Sequence, residues 1–301
     1  MNPCVRFITL GCKVNQYETQ AMRESLSRAG IHDVSETEKS SEDIRFVVIN
    51  TCTVTKAADR ENLYWVRRAK REHPRAKVIV TGCFVERNRS ELQAHPEIDL
   101  ILSNDDKSEI AEWLTSGCAA PEIQDATVLR KRRREYSPLT ISKTSGKGRA
   151  FVKIQDGCNH ACTFCKVVMV RGRARSRPLY DIVEEVKRLS GAGYREVVLA
   201  GIQLGAWGLD FSGGSNLVEV LEACEKVDGI ERIRLSSIEP TDIKPPLIEA
   251  LGAISKCCPH LHIPLQSGDD GILERMNRRY RRSFYMDLIE RLKSGIPRFS
   301  L

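Results

Sequence analysis

The sequence predicts an α/β chain of two parallel-sheet domains, the first a doubly wound open sheet and the second a partial barrel of βα units, incomplete at its carboxyl-terminal end. Three observations carry this. Short apolar runs alternate with amphipathic helical stretches up to about residue 116, the alternation breaks between Gly117 and Arg149, and it resumes from Ala150. Such alternation lays strands in parallel with helices on the sheet faces. A length of 301 residues suits about two domains.

In the first domain, Val5 to Leu10 is an apolar run ending at Gly11-Cys12, and Asn15 to Ala29 sets Tyr17, Ala21, Met22, Leu26 and Ala29 at helical spacing. Phe46-Val47-Val48-Ile49 reads as a buried strand ending at Asn50-Thr51-Cys52, followed by a helix from about Ala57 to Glu72 that Pro74 closes. Lys77-Val78-Ile79-Val80 ends at Thr81-Gly82-Cys83. A fourth strand is expected at Asp99 to Leu102 and a last helix at about Lys107 to Leu114. Cys12, Cys52 and Cys83 therefore each stand just past the carboxyl end of a strand. Those ends share one edge of an open α/β sheet, where ligands bind, so three thiols distant in sequence are placed to meet. Three unrelated buried cysteines are the bland alternative.

Residues 117–149 carry Pro121, Pro138, Gly146, Gly148 and the basic run Arg130-Lys131-Arg132-Arg133-Arg134, and read as an interdomain linker. Such a run is either a solvated surface or a phosphate contact without sequence specificity. Arg171, Arg173, Arg175 and Arg177 form a second basic patch, whose alternation sets several on one side of an extended segment.

The second domain starts with a strand to Ile154 and continues with helix Leu179 to Leu189, strand Glu196 to Leu199, helix Leu217 to Lys226 and strand Ile230 to Leu235. Helix Leu247 to Ile254, strand His260 to Leu265 and a helix around Phe284 to Leu292 complete it. Barrels of βα units place their chemistry at the strands' carboxyl ends. Those ends are Ala200-Gly201-Ile202-Gln203, Ser236-Ser237-Ile238-Glu239-Pro240 and Gln266-Ser267-Gly268, which also suit ordinary turns. Cys224 falls on an apolar stripe, and Cys4, Cys118, Cys257 and Cys258 carry no ligand pattern.

Cys158, Cys162 and Cys165 stand within eight residues, directly after Phe151-Val152-Lys153-Ile154. Three thiols at this spacing suit one face of an iron-sulfur cluster, and a cube of four irons keeps one iron open. Zinc wants four ligands, usually as two separated pairs, and His160 has no second pair nearby. Eleven cysteines cannot all pair as disulfides.

The net charge of +7 favours an acidic partner such as nucleic acid. No run of eighteen apolar residues and no signal segment is present, so no membrane partner is expected and the expectation is a soluble, cytoplasmic protein, whose reducing compartment suits free thiols.

The C-x3-C-x2-C motif after a strand resembles the cluster motif of the radical S-adenosylmethionine (SAM) enzymes, in which SAM occupies the open iron. Phe151 to Cys158 before it and Arg171 to Pro178 after it resemble the methylthiotransferases, which attach a methylthio group to an unactivated C–H carbon. Leu10 to Glu18, Asn50 to Thr55 and Thr81-Gly82-Cys83 match the amino-terminal domain of that family. Asn15-Gln16-Tyr17-Glu18 looks most like the branch acting on threonylcarbamoyladenosine in tRNA, and less like the isopentenyladenosine or ribosomal-protein branches.

The resemblance implies a Rossmann-like domain over residues 1–116 whose Cys12, Cys52 and Cys83 bind an auxiliary 4Fe-4S cluster, a basic linker over 117–149, and a radical SAM partial barrel over 150–301. It implies a second 4Fe-4S cluster on the catalytic Cys158, Cys162 and Cys165, and SAM lined by Gly201, Gln203, Ser237, Glu239, Gln266 and Ser267. The implied reaction is methylthiolation of C2 of N6-threonylcarbamoyladenosine at position 37, in the tRNA anticodon loop. Arg132, Arg133, Arg134, Arg171, Arg173 and Arg175 would contact its phosphates. An electron donor such as a flavodoxin or ferredoxin, a sulfur donor and a monomeric chain are also implied.

Two departures stand beside the match. Lys166-Val167-Val168-Met169-Val170 replaces the family's apolar residue and proline after the third cysteine, which implies an altered loop there. The chain also stops at Leu301, before the family's last two barrel strands and RNA-binding domain, which implies a truncated chain with an exposed parallel edge. The same chemistry on isopentenyladenosine tRNA or a ribosomal protein, and a non-catalytic iron-sulfur or RNA-binding remnant, are the alternative readings.

Overall fold

The computed structural model describes residues 3–34, 44–116, 136–144 and 148–301. They fall into two compact units, Met1–Ile141 with Met169–Arg171, and Ser142–Val168 with Gly172–Leu301. Of the expected linker, the described part includes Leu139 and Ile141, which are buried in the first unit, while Arg132, Arg133 and Arg134 lie outside the described residues.

In the first unit, β1 (Cys4–Thr9), β2 (His32–Asp33), β3 (Ile44–Thr51), β4 (Lys77–Gly82) and β5 (Leu100–Ile101) make one parallel sheet in the order β2-β1-β3-β4-β5. Helices α1 (Lys13–Arg28), α2 (Lys56–Glu72), α3 (Cys83–Gln93) and α4 (Ile110–Thr115) cover both faces. Phe46 and Val48 pack with Met22 and Leu26 of α1 and with Ile110 and Leu114 of α4. Val47 and Ile49 pack on the other side, with Val66 and Ala69 of α2 and Phe84 and Leu92 of α3. Burial on both faces is why residues 46–49 form an unbroken apolar run instead of alternating.

From β1 the chain moves to one edge, and from β3 it moves to the other. The order therefore reverses between β1 and β3, where a doubly wound sheet opens its binding crevice. The register pairs Thr9 with Asn50 and Asn50 with Thr81, so the three strands that precede the cysteines end at one level. Two elements were not expected from sequence. β2 consists of exposed His32 and Asp33, with no apolar signal, and α3 starts at Cys83 itself and carries a non-helical residue, Asn88.

In the second unit, β6 (Ala150–Lys153) leads into β7 (Gln155–Asp156), which pairs antiparallel with β8 (Arg175–Ser176). β9 (Glu196–Ala200) and β10 (Arg232–Leu235) join β6 in a parallel sheet of order β10-β9-β6. The chain also forms a short helix α5 (Val167–Arg171), then α6 (Leu179–Gly191), α7 (Leu217–Glu225), α8 (Pro245–Ala253), α9 (Asp270–Arg275) and α10 (Arg282–Gly295). Asn216 and Glu219 form a reciprocal capping box that starts α7, and Cys224 lies buried on its apolar face.

The strand expected at His260 to Leu265 is reduced to single parallel bridges such as Ser237 with His262, and Ile233 bridges Cys257 just before it. Pro259 and Pro264 lack the N–H groups that a continuous ladder needs. A further bridge joins His260 to Ser300. Among the described residues, no helix is long and apolar enough to cross a membrane.

Candidate functional site

Cys12, Cys52 and Cys83 stand at the carboxyl ends of β1, β3 and β4. Cys12 is the N-cap residue of α1 and exposed, Cys52 follows β3 and is buried, and Cys83 opens α3. Burial is the main cause that raises the Cys52 thiol, and negative charge on the neighbouring Cys83 and Cys12 raises it further. Gly11 has φ +90°, and a Cβ there would lie 2.7 Å from both Cβ and Sγ of Cys52. Only glycine brings the two cysteine loops so close.

Asparagines brace these loops. Asn62 takes the Cys52 N–H on Oδ1 at 3.2 Å and donates from Nδ2 to the Cys52 carbonyl at 2.6 Å. Asn15 donates from Nδ2 to the carbonyls of Leu10 and Thr51, at 2.8 and 2.9 Å, which joins the approaches to Cys12 and Cys52. Asn50 in turn donates to the Asn15 carbonyl at 3.0 Å.

Arg171, which the contacts assign to this unit, donates from Nε to Cys83 Sγ at 3.2 Å. Its Nη1 and Nη2 grip Glu18 at 2.5 and 3.0 Å, and Nη2 also reaches Asn15 Oδ1 at 2.7 Å. Lys107 Nζ sits 2.5 Å from Glu18 Oε2. Burial lowers the Lys107 pKa, with the Glu18 carboxylate acting against it. Sequence reading offered Arg171 as a phosphate contact, but the structure buries it to 3% exposure and spends its donors on Glu18, Asn15 and Cys83. The motif Asn15 to Glu18, first read as family wording, supplies two of the side chains around this site.

In the second unit, the loop from β7 to α5 carries Cys158, Cys162 and Cys165, and all three line one cavity of about 420 Å³ together with His160 and Arg173. Gly157 enters the loop at φ +71°, where a Cβ would lie 2.0 Å from the Arg173 carbonyl oxygen. The backbone N–H of His160 points at Cys158 Sγ (3.3 Å) and that of Val167 at Cys165 Sγ (3.5 Å). Burial pushes the Cys158 thiol up to about 11, and the nearby Cys165 and Cys162 add to it. The stretch after Cys165 starts the short helix α5 at Val167.

Gly201 and Gln203 follow β9 beside this loop. The Gln203 N–H donates to Gln155 Oε1 at 2.8 Å, and Gln203 Oε1 accepts the Asn159 N–H at 2.9 Å. A Cβ on Gly201 would lie 3.0 Å from Gln155. Glu239 pairs with Arg278 at 2.8 Å, and the Arg278 guanidinium lies 5.4 Å from the centre of the Phe164 ring in the cysteine loop. Ser237 is exposed and meets His262 Nδ1 at 2.6 Å, while exposed Gln266 has a positive φ of 63°. Ser267 accepts the Asp269 N–H at 3.1 Å. Arg173 is exposed, but Arg175 is 6% exposed and lies 3.7 Å from buried Asp156, so it is a second arginine turned away from solvent.

The donor chemistry fits iron-sulfur clusters. Each unit offers three thiols, soft ligands that such clusters prefer. Among the described residues no three His, Cys, Asp or Glu side chains converge tightly enough for a single metal ion. A cluster takes each thiolate at a separate iron and is suited to wider spacing. The ten described cysteines are free thiols.

Two family models match the chain, the uncharacterized protein family UPF0004 over residues 4–103 and the Radical SAM superfamily over residues 152–301. A threonylcarbamoyladenosine tRNA methylthiotransferase of Bacillus subtilis is 36% identical over 97% of this chain and 64% of its own length. A protein of the same name from Aquifex aeolicus is 37% identical over 97% of this chain and 70% of its own length. The chain thus spans about two thirds of such relatives. Among solved structures, the radical SAM methyltransferase TsrM of Kitasatospora setae, bound to tryptophan and a SAM analogue, has a similar fold. Its TM-score is 0.65 at 14% identity, covering 98% of this chain and 66% of the other.

Proposed function

The chain belongs to the radical SAM methylthiotransferase family, and on that footing we propose that it methylthiolates C2 of N6-threonylcarbamoyladenosine at position 37 of tRNA. The observation that carries this reading is the match, along 97% of the chain, to relatives that bear that name.

Cys158, Cys162 and Cys165 would hold one 4Fe-4S cluster, and Cys12, Cys52 and Cys83 the other. When bound, the clusters and SAM supply one-electron cleavage, radical C–H chemistry and sulfur. The protein's own contribution is position. Gln203 fixes the cysteine loop through the Asn159 N–H, and Gly201, Ser237, Glu239, Gln266 and Ser267 are the proposed lining for SAM. Arg278 steadies the Glu239 carboxylate and the Phe164 ring together.

The adenosine would enter from an anticodon loop, where a base is unstacked without opening a duplex. Arg173, together with Arg132, Arg133 and Arg134, would meet the phosphates, which fix position without reading sequence. A flavodoxin or ferredoxin would deliver the electron, and a separate donor would replace the sulfur.

The test is to incubate the anaerobically reconstituted chain with SAM, a reductant and tRNA carrying threonylcarbamoyladenosine, and to analyse nucleosides by mass spectrometry. The expected result is the 2-methylthio product. Its appearance only with isopentenyladenosine tRNA or with a ribosomal protein would replace the substrate, and no modified product with any of them would overturn the reading.

A further inference from the structure

We infer that Arg171 is a positioning residue for the Cys12, Cys52 and Cys83 centre, holding Cys83 through an N–H···S hydrogen bond and favouring the reduced state of the cluster bound there. The inference rests on the reading that these three cysteines hold a cluster.

The guanidinium is fixed on every side that the structure shows. Glu18 takes it with both carboxylate oxygens, the forked geometry that sets a planar cation most firmly. Asn15 takes Nη2, and the Nε–H points at Cys83 Sγ, 3.2 Å away. The same Asn15 ties Leu10 to Thr51, so one arginine touches the third ligand directly and the approaches to the other two through one side chain.

Charge adds a second argument. Arg171 and Lys107, 3% and 0% exposed, both pair with the Glu18 carboxylate. A buried guanidinium favours negative charge on the atoms to which it donates. The sulfur of Cys83 is where Arg171 directs its Nε–H. A cluster gains negative charge when it takes up one electron, and an N–H···S bond with a fixed cation stabilises that form. Hydrogen bonds to sulfur and net local charge are two of the factors that set cluster potentials.

The test uses the Cys158→Ala/Cys162→Ala/Cys165→Ala chain, so that one cluster remains. After anaerobic reconstitution, that cluster is titrated with dithionite through mediators and followed by electron paramagnetic resonance, one electron passing from mediator to cluster. Arg171→Gln removes the cation and leaves Glu18 paired with Lys107. It is expected to retain iron and to shift the midpoint to more negative potential. Arg171→Lys keeps the charge without the fork and is expected to shift less in the same direction. An unchanged midpoint in Arg171→Gln at full iron content would overturn the inference. Should that variant fail to fold, an unchanged midpoint in Arg171→Lys does the same. Absence of iron from the triple-alanine chain would instead defeat the cluster reading, and the inference with it.

Discussion

Arg171 Nε donates to Cys83 Sγ at 3.2 Å, across 88 positions of sequence. The bond is one edge of a buried group in which Glu18 is the shared anion, 2.5 Å from Lys107 and held at both oxygens by Arg171. Glu18→Gln leaves two buried cations around a neutral amide. Breaking a buried pair in this way costs about 3–5 kcal/mol. The expected outcome is a clearly lower urea midpoint for the first unit, read by tryptophan fluorescence, and Glu18→Asp should recover part of it.

The two cysteine sets should separate functionally. Cys158→Ala is expected to abolish SAM cleavage, measured as 5′-deoxyadenosine. Cys52→Ala is expected to spare cleavage and lose sulfur insertion. Methylthiolated tRNA from either variant contradicts the assignment.

Glycine at position 11 is a steric requirement of the first set. Gly11→Ala forces an L-residue to φ +90° and drives its Cβ to 2.7 Å from Cys52 Sγ, strain on the order of 1–3 kcal/mol. Iron at the Cys12, Cys52 and Cys83 centre should fall, which metal analysis in the Cys158→Ala/Cys162→Ala/Cys165→Ala background measures directly.

The arginines around β8 should divide by exposure. Arg173→Ala is expected to weaken tRNA binding evenly across sequences and reduce the slope of log affinity against log salt by about one. Buried Arg175, which lies beside Asp156, should leave that slope unchanged when replaced by alanine and lower the melting temperature of the chain.

Much of this architecture is legible in the sequence, for physical reasons. Strands β3 and β4 are buried on both faces, so Phe46 to Ile49 and Lys77 to Val80 announce themselves as apolar runs. The strand-end positions of Cys12, Cys52 and Cys83 follow from that alone, because parallel strands share one carboxyl edge. Strand β2 stayed hidden, since exposed His32 and Asp33 carry no apolar signal. The strand expected at His260 to Leu265 has the right composition, but Pro264 within it and Pro259 before it reduce it to bridges. The arginines differ in burial for a reason that the sequence does not carry. Alternating Arg171, Arg173 and Arg175 looks like a comb for phosphates, and only the fold supplies the carboxylates, Glu18 and Asp156, that bury the first and third.

The central claim is that one chain organises two separate three-thiol centres. Iron and acid-labile sulfide per chain after anaerobic reconstitution test it most directly. The account predicts about eight irons, falling to about four in the Cys12→Ala/Cys52→Ala/Cys83→Ala variant. About four irons in the unaltered chain, unchanged by those three substitutions, would contradict it.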